Sequence, residues 1–177
     1  MARTFEYKLF ADYHQFYVQD EGVEGNLGDS WTPEATARDL AVAPGTIGIG
    51  TVRNGTVPVV IEIADGKPDD NMNSWDQVTE CSMEVASGRL VVAGCTDYFP
   101  DAARIEIPPG SYRARIYSGN LDSLSDDGLD GDDHYRVVLW SAAPGPVLIL
   151  KPYTGSRIRP TLESRLVEIS RVELATC

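Results

Sequence analysis

The sequence predicts a mostly β protein: an antiparallel β-sandwich of about ten strands with one short helix after the second strand. Runs of β-branched and aromatic residues recur between turn signals every 8 to 14 residues, the spacing of an antiparallel sandwich. Helical spacing of apolar residues occurs only once or twice. At 177 residues the chain fits one domain with a sizeable core. The reading is a sandwich domain over 1–150, with 151–177 a C-terminal extension packed on that domain or extending it.

The expected strands cover residues 4–10, 13–19, 46–53, 56–63, 77–85, 90–95, 104–107, 112–117, 135–140 and 147–151. Between the second and third, Thr32 suits a helix cap and Pro33 the first helical position, so a helix is expected to run to Leu40 and to stop at Ala43-Pro44-Gly45. Trp31 at its start is expected to pin it to the sheet, and Trp75 and Trp140 are read as core residues in the same way. Asn54-Gly55 is the sequence of a type I′ turn, whose central residues both need positive φ. A hairpin is expected there, with Arg53 opposite Thr56 and one face carrying Val52, Val57, Val59, Ile61 and Ile63 around Gly48 and Gly50. Pro108-Pro109-Gly110 predicts a second hairpin with Ile105 and Ile107 turned inward. The segments 65–73 and 118–133 read as exposed loops. Residues 162–169 have apolar spacing that fits either a short helix or a strand.

Fifteen Lys and Arg against 27 Asp and Glu give a formal charge of −12. Five basic and three acidic residues leave 151–177 at +2, so 1–150 carries −14. That balance disfavours nucleic acid and anionic lipid as direct ligands and favours encounter with a basic partner. No stretch approaches the roughly 20 consecutive apolar residues of a membrane helix. Glu6 and Lys8 interrupt any apolar signal core at the start, so a cytoplasmic location is expected.

Cys81, Cys95 and Cys177 are too few and too irregular for a disulfide framework or a zinc site. Cys81 and Cys95 flank a turn near Ser87-Gly88; a three-residue turn makes them cross-strand neighbours and a two-residue turn puts them on opposite faces. Buried free thiols are the expected state. No cofactor is indicated. Catalysis has little to stand on, with two histidines, no Gly-x-Ser-x-Gly elbow and no phosphate-cradling glycine loop. His14 lies in the pattern of the second strand, on the face opposite Tyr13 and Gln15, where a histidine is usually a hydrogen-bonded structural residue. His134 follows Asp132 and Asp133, but neighbours on a strand point apart and no nucleophile accompanies it.

The most unusual segment is 120–133, which holds six aspartates: Asp122, Asp126, Asp127, Asp130, Asp132 and Asp133. Like charges this dense repel unless water, a cation or a basic partner compensates. The plain reading is a solvated loop. A second uses Asp126, Asp130 and Asp132 as oxygen ligands for Ca²⁺, although the spacing misses the EF-hand pattern. In a third, the six aspartates bind a protein partner, occupying a basic cleft built for a phosphate backbone.

Asp12-Tyr13-His14-Gln15-Phe16 resembles competence protein J, the bacterial inhibitor of the DNA-entry nuclease. The similarity continues in order through Trp31-Thr32-Pro33-Glu34-Ala35, Ala43-Pro44-Gly45-Thr46-Ile47, Arg53-Asn54 and Pro109-Gly110-Ser111-Tyr112. These blocks span roughly 5–140; the tail from about 141 to 177 has no counterpart, and the aspartate-rich loop looks longer than in the family. The resemblance implies a cytoplasmic, non-enzymatic binder that blocks a metal-dependent nuclease.

Overall fold

A computed structural model describes residues 1–156; the 162–169 pattern and most of the expected extension lie outside the described residues. In chain order the elements are β1 (Arg3–Phe10), β2 (Gln15–Asp20), α1 (Pro33–Ala37), β3 (Leu40–Ala43), β4 (Thr46–Gly50), β5 (Thr56–Ala64), β6 (Gln77–Val85), β7 (Arg89–Gly94), β8 (Ala103–Glu106), β9 (Gly110–Gly119), β10 (His134–Ser141) and β11 (Leu148–Lys151). The ten expected strands are all present within a few residues of their expected ends, and β3 is added to them. They form two sheets, ordered β1-β5-β10-β9-β6-β11 and β3-β4-β2-β7-β8. Pairing is antiparallel except between β5 and β10, which run parallel with Val59 beside Tyr135.

Alternation decides which side chains meet between the sheets. Val57, Val59 and Ile61 of β5, Ala114 and Ile116 of β9, and Val137 and Leu139 of β10 point to one face. Phe16 and Val18 of β2, Ile47 and Ile49 of β4, and Leu90 and Val92 of β7 come from the facing sheet, and all are essentially dry. Each of these Val, Leu, Ile and Phe side chains contributes roughly 1.5–3 kcal/mol of burial, which makes this layer the main source of stability.

Thr32 caps α1 as expected, its hydroxyl accepting from Ala35 N at 3.2 Å with Pro33 at the first position. The helix ends at Ala37 rather than Leu40. Asp39 is left-handed at φ 53 and its carbonyl accepts from Gly50 N at 2.8 Å, which turns the chain into β3. Leu and Ala favour helix locally, but Leu40–Ala43 satisfies its backbone against β4 across the two-residue turn Pro44-Gly45, with Gly45 at φ 66.

Both expected hairpins are instead crossings between sheets. β4 already has β3 and β2 on its two edges, so β5 passes to the other sheet and pairs with β1 and β10. Neither Asn54 nor Gly55 takes positive φ. The side chains that crowd Gly48 and Gly50 are accordingly not those of β5. A Cβ on Gly48 would meet Leu27 at 2.6 Å and Trp31 at 3.0 Å, while one on Gly50 would meet Asp39. Trp31 thus covers the outer face of the sheet beside Leu27, Ala35 and Ala41. Pro108-Pro109-Gly110 likewise carries the chain from β8 in one sheet to β9 in the other. The Ser87-Gly88 turn does the same, so Cys81 lies in one sheet while Cys95 follows the end of β7 in the other; both are free, Cys81 buried as expected and Cys95 only half-buried because it stands in the turn beyond the strand.

The outer face of the larger sheet holds ions under a cover of loop. Glu80 receives Arg113 at 2.8 and 3.0 Å and Arg115 at 2.9 Å. Arg113 also donates to the Pro146 carbonyl, and Arg115 to the Asp69 carbonyl. Val78, Tyr117, Val138 and Trp140 form a second apolar cluster beside them, with Trp75 packed against it. Among the described residues no helix is long and apolar enough to cross a membrane. Replacing Glu80 with Ala leaves two guanidinium groups buried without their carboxylate; a loss of about 3–5 kcal/mol is expected in urea denaturation.

Candidate functional site

The six aspartates lie on the connection between β9 and β10, at one end of the sandwich. The structure separates them into two groups. Asp122, Asp126, Asp127, Asp130 and Asp132 are exposed, whereas Asp133 is fully buried. The exposed loop is organised by its own hydroxyls and carbonyls. Ser125 Oγ donates to Asp127 at 2.6 Å and accepts from Asp130 N at 2.9 Å, and Ser125 N donates to the Asp130 carbonyl at 2.7 Å. Ser123 Oγ accepts from Asp132 N at 2.8 Å and donates to the Asn120 carbonyl at 2.7 Å. The Ser125 hydroxyl and the Leu129 N–H hold the Asp127 carboxyl below its usual range. Asp76 fastens the loop's start by accepting from Leu121 N at 2.7 Å, and Tyr153 hydrogen-bonds Asp122.

Asp133 anchors the other end. Its Oδ1 forms an ion pair with Arg53 Nε at 2.8 Å and its Oδ2 accepts from the Tyr135 hydroxyl at 3.0 Å. The same hydroxyl accepts from Val52 N at 2.9 Å. Tyr135 packs edge-on to Phe16, with ring centroids 5.9 Å apart, so the anchor reaches into the core. Burial first, and then the Asp133 charge, push the Tyr135 hydroxyl well above its ordinary pKa. Arg53 was legible only as part of a family block, and no local pattern marks it or Tyr135 as partners of Asp133; their pairing needs the β4-to-β5 crossing.

That crossing ties the acidic loop to a strained turn. Tyr13 and His14, expected at the head of a strand, sit in a turn between β1 and β2 with φ 53 and 57. A left-handed non-glycine residue costs about 1–2 kcal/mol. The turn is held by Ala11 N to the Gly55 carbonyl at 2.9 Å, Thr51 N to the His14 carbonyl at 2.8 Å, and Asp12 accepting from Tyr13 N at 3.0 Å and Thr96 at 3.1 Å. Gly94 is required below it, because a Cβ there would stand 2.2 Å from the Phe10 carbonyl oxygen. The end of the sandwich is therefore a continuous, tied surface running from 120–133 through 51–55 and 11–14 to 95–97.

Among the described residues no three potential ligands converge where a cation could sit, so Asp126, Asp130 and Asp132 do not form a cage. Neither Cys81 nor Cys95 is activated: burial pushes Cys81 up to about 12 and raises Cys95. His134 bonds the Asp132 carbonyl at 3.0 Å and packs tilted against Trp75, with ring centroids 5.0 Å apart.

Neither a protein-family model nor a curated protein matches the chain. Two solved structures do. ComJ from Bacillus subtilis, inhibitor of the DNA degrading activity of NucA, superposes with a TM-score of 0.64 and 20% identity, covering 80% of this chain and 99% of its own. The chain has a ComJ-like fold. The product of crocagin biosynthetic gene J superposes with a TM-score of 0.55 and 18% identity over 79% of this chain and 97% of its own. At these identities the likeness is one of fold, and it agrees with the sandwich and the resemblance read from the sequence.

Arg53→Met is expected to leave Asp133 buried without its cation and with only the Tyr135 hydroxyl donating to it, lowering stability by about 3–5 kcal/mol in denaturant titration. Tyr135→Phe is expected to cost about 1–3 kcal/mol at pH 7 by stranding Val52 N and Asp133. Because the folded state holds the Tyr135 proton above the ordinary tyrosine pKa, stability should fall as pH rises beyond about 10. Denaturation midpoints at pH 8 and 10.5 should show a smaller drop in Tyr135→Phe than in wild type.

Proposed function

We propose that this chain is a non-enzymatic, nuclease-binding inhibitor or immunity-type protein, whose acidic loop occupies the basic DNA-binding cleft of a metal-dependent nuclease. The observation that carries the reading is the coincidence of a ComJ-like fold with five solvent-facing aspartates on a loop anchored at both ends. A cleft that holds DNA presents cations spaced for phosphates, and a row of carboxylates offers it the same charge without a scissile bond. Anchoring through Asp76 and Asp133 lowers the ordering cost on binding. The carboxylates assigned to the contact are Asp122, Asp126, Asp127, Asp130 and Asp132; Asp133 holds the loop rather than the partner. The action is stoichiometric occlusion, and the reading carries a cytoplasmic location with it.

The test is DNA degradation by NucA, and by nuclease activity in extracts of the source cell, with and without purified protein. Dose-dependent loss of degradation in either is expected; unchanged degradation in both would refute the reading. The variant Asp126→Asn, Asp127→Asn, Asp130→Asn, Asp132→Asn should associate at least about tenfold more slowly at low salt, with a flatter dependence on ionic strength. Equal association rates would remove the loop from the contact.

A further inference from the structure

Large exposed aromatics gather at the same end of the sandwich. Tyr98 is 72% exposed, Phe10 48% and Phe99 36%. Tyr98 and Phe99 stand on the 95–102 connection between β7 and β8, and Phe10 ends β1 directly above Gly94. An isolated exposed ring needs no explanation, but these stand on a segment that is fastened from below. Arg104 donates to the carbonyls of Phe99, Pro100 and Ala102 at 3.1, 3.1 and 2.6 Å, and its guanidinium lies 5.5 Å from the centre of the Phe99 ring. Asp97 accepts from Gly94 N at 2.6 Å, and Thr96 joins the segment to Asp12. Nothing in the described residues covers Tyr98. The fold therefore spends its bracing on holding rings in water, which raises the apolar area exposed without any internal return.

We infer that the 95–102 segment is the second half of the partner-binding surface, with Tyr98 and Phe99 as aromatic anchors at the same end of the sandwich as the acidic loop, across the 11–14 turn and the 51–55 crossing from it. The inference rests on the nuclease-inhibitor reading and specifies how that site grips. Clefts for nucleic acid carry two kinds of chemistry, cations for phosphates and flat apolar or guanidinium surfaces for bases. The exposed aspartates answer the first, and rigid rings answer the second by stacking on side chains of a basic protein wall. The charge of −14 over 1–150 selects the same occupant, because a second copy of so acidic a chain would be repelled. Division of labour follows: carboxylates govern encounter, and rings govern residence.

Binding kinetics with NucA at several salt concentrations test this. The Tyr98→Ser, Phe99→Ser variant is expected to dissociate roughly 30-fold faster at every salt concentration with its association rate little changed. The loop-asparagine variant should show the opposite pattern. Tyr98→Ser alone, at the most exposed of these rings, guards against loss of folding and should still dissociate several-fold faster with an unchanged melting temperature. If wild type binds and both serine variants dissociate at the wild-type rate, the aromatic half is overturned and the inhibitor reading stands. If wild type neither binds nor blocks NucA, nor the nuclease activity of source-cell extract, both fall together. Self-association of wild type that the serine variants abolish would also overturn the inference, because the rings would then face another copy of this chain.

Discussion

A carboxylate with no exposure to water can persist in this fold only because Arg53 and Tyr135 meet it, and one end of the sandwich is arranged around that requirement. The idealised cost of moving such an ion out of water is of order 20 kcal/mol, so Asp133 fixes its neighbours more strictly than any apolar contact does. Arg53 must project from the β4-to-β5 crossing, and Val52 must present its N–H to the Tyr135 hydroxyl. Those demands place the crossing against β10, and the crossing in turn carries the hydrogen bonds that hold the Ala11 and His14 turn. A single buried charge thus links the acidic loop, the strained turn and the core ring of Phe16.

The outer face of the larger sheet solves a similar problem at another place. Two arginines share Glu80 and take their remaining acceptors from the backbone of covering segments, the Asp69 and Pro146 carbonyls. Ion groups of this kind add little net stability compared with apolar packing, but they reject alternatives, since any shift of the cover strands a charge. Stability comes from the layer between the sheets, while the polar networks decide where loops lie. That separation leaves the exposed aspartates at one end without any part in the core.

Recognition at strand-end loops suits a sandwich, whose faces are occupied by core and cover and whose ends remain accessible. In this chain that end is braced by its own contacts. Carboxylates are fastened at both ends of their loop, and the aromatic segment is fixed by Arg104. A braced surface loses less conformational entropy on association, which favours tight binding through modest area. Backbone strain at Tyr13 and His14 belongs to the same arrangement, because left-handed residues persist only where surrounding bonds over-determine them.

By itself the sequence determined the elements and the class. Alternating apolar residues place ten strands, since a two-residue period is local, and Thr32 with Pro33 announces the helix start because capping acts within one turn. The high density of aspartate in 120–133 was equally plain. What tertiary structure alone decided is which strand each edge meets. Asn54-Gly55 has the residues of a hairpin, yet the edges of β4 were already taken, so the chain crossed and β5 found β1 and β10. Leu40–Ala43 left the helix for the same reason, an unpaired edge of β4 outweighing local propensity. Asp133 differs from Asp132 in nothing a sequence displays; only the meeting of Arg53 and Tyr135, 82 positions apart in the chain, makes one a buried anchor and leaves the other facing water. Short-range periodicity is written along the chain, whereas the compensation of a buried charge depends on residues that only the completed sheets bring together.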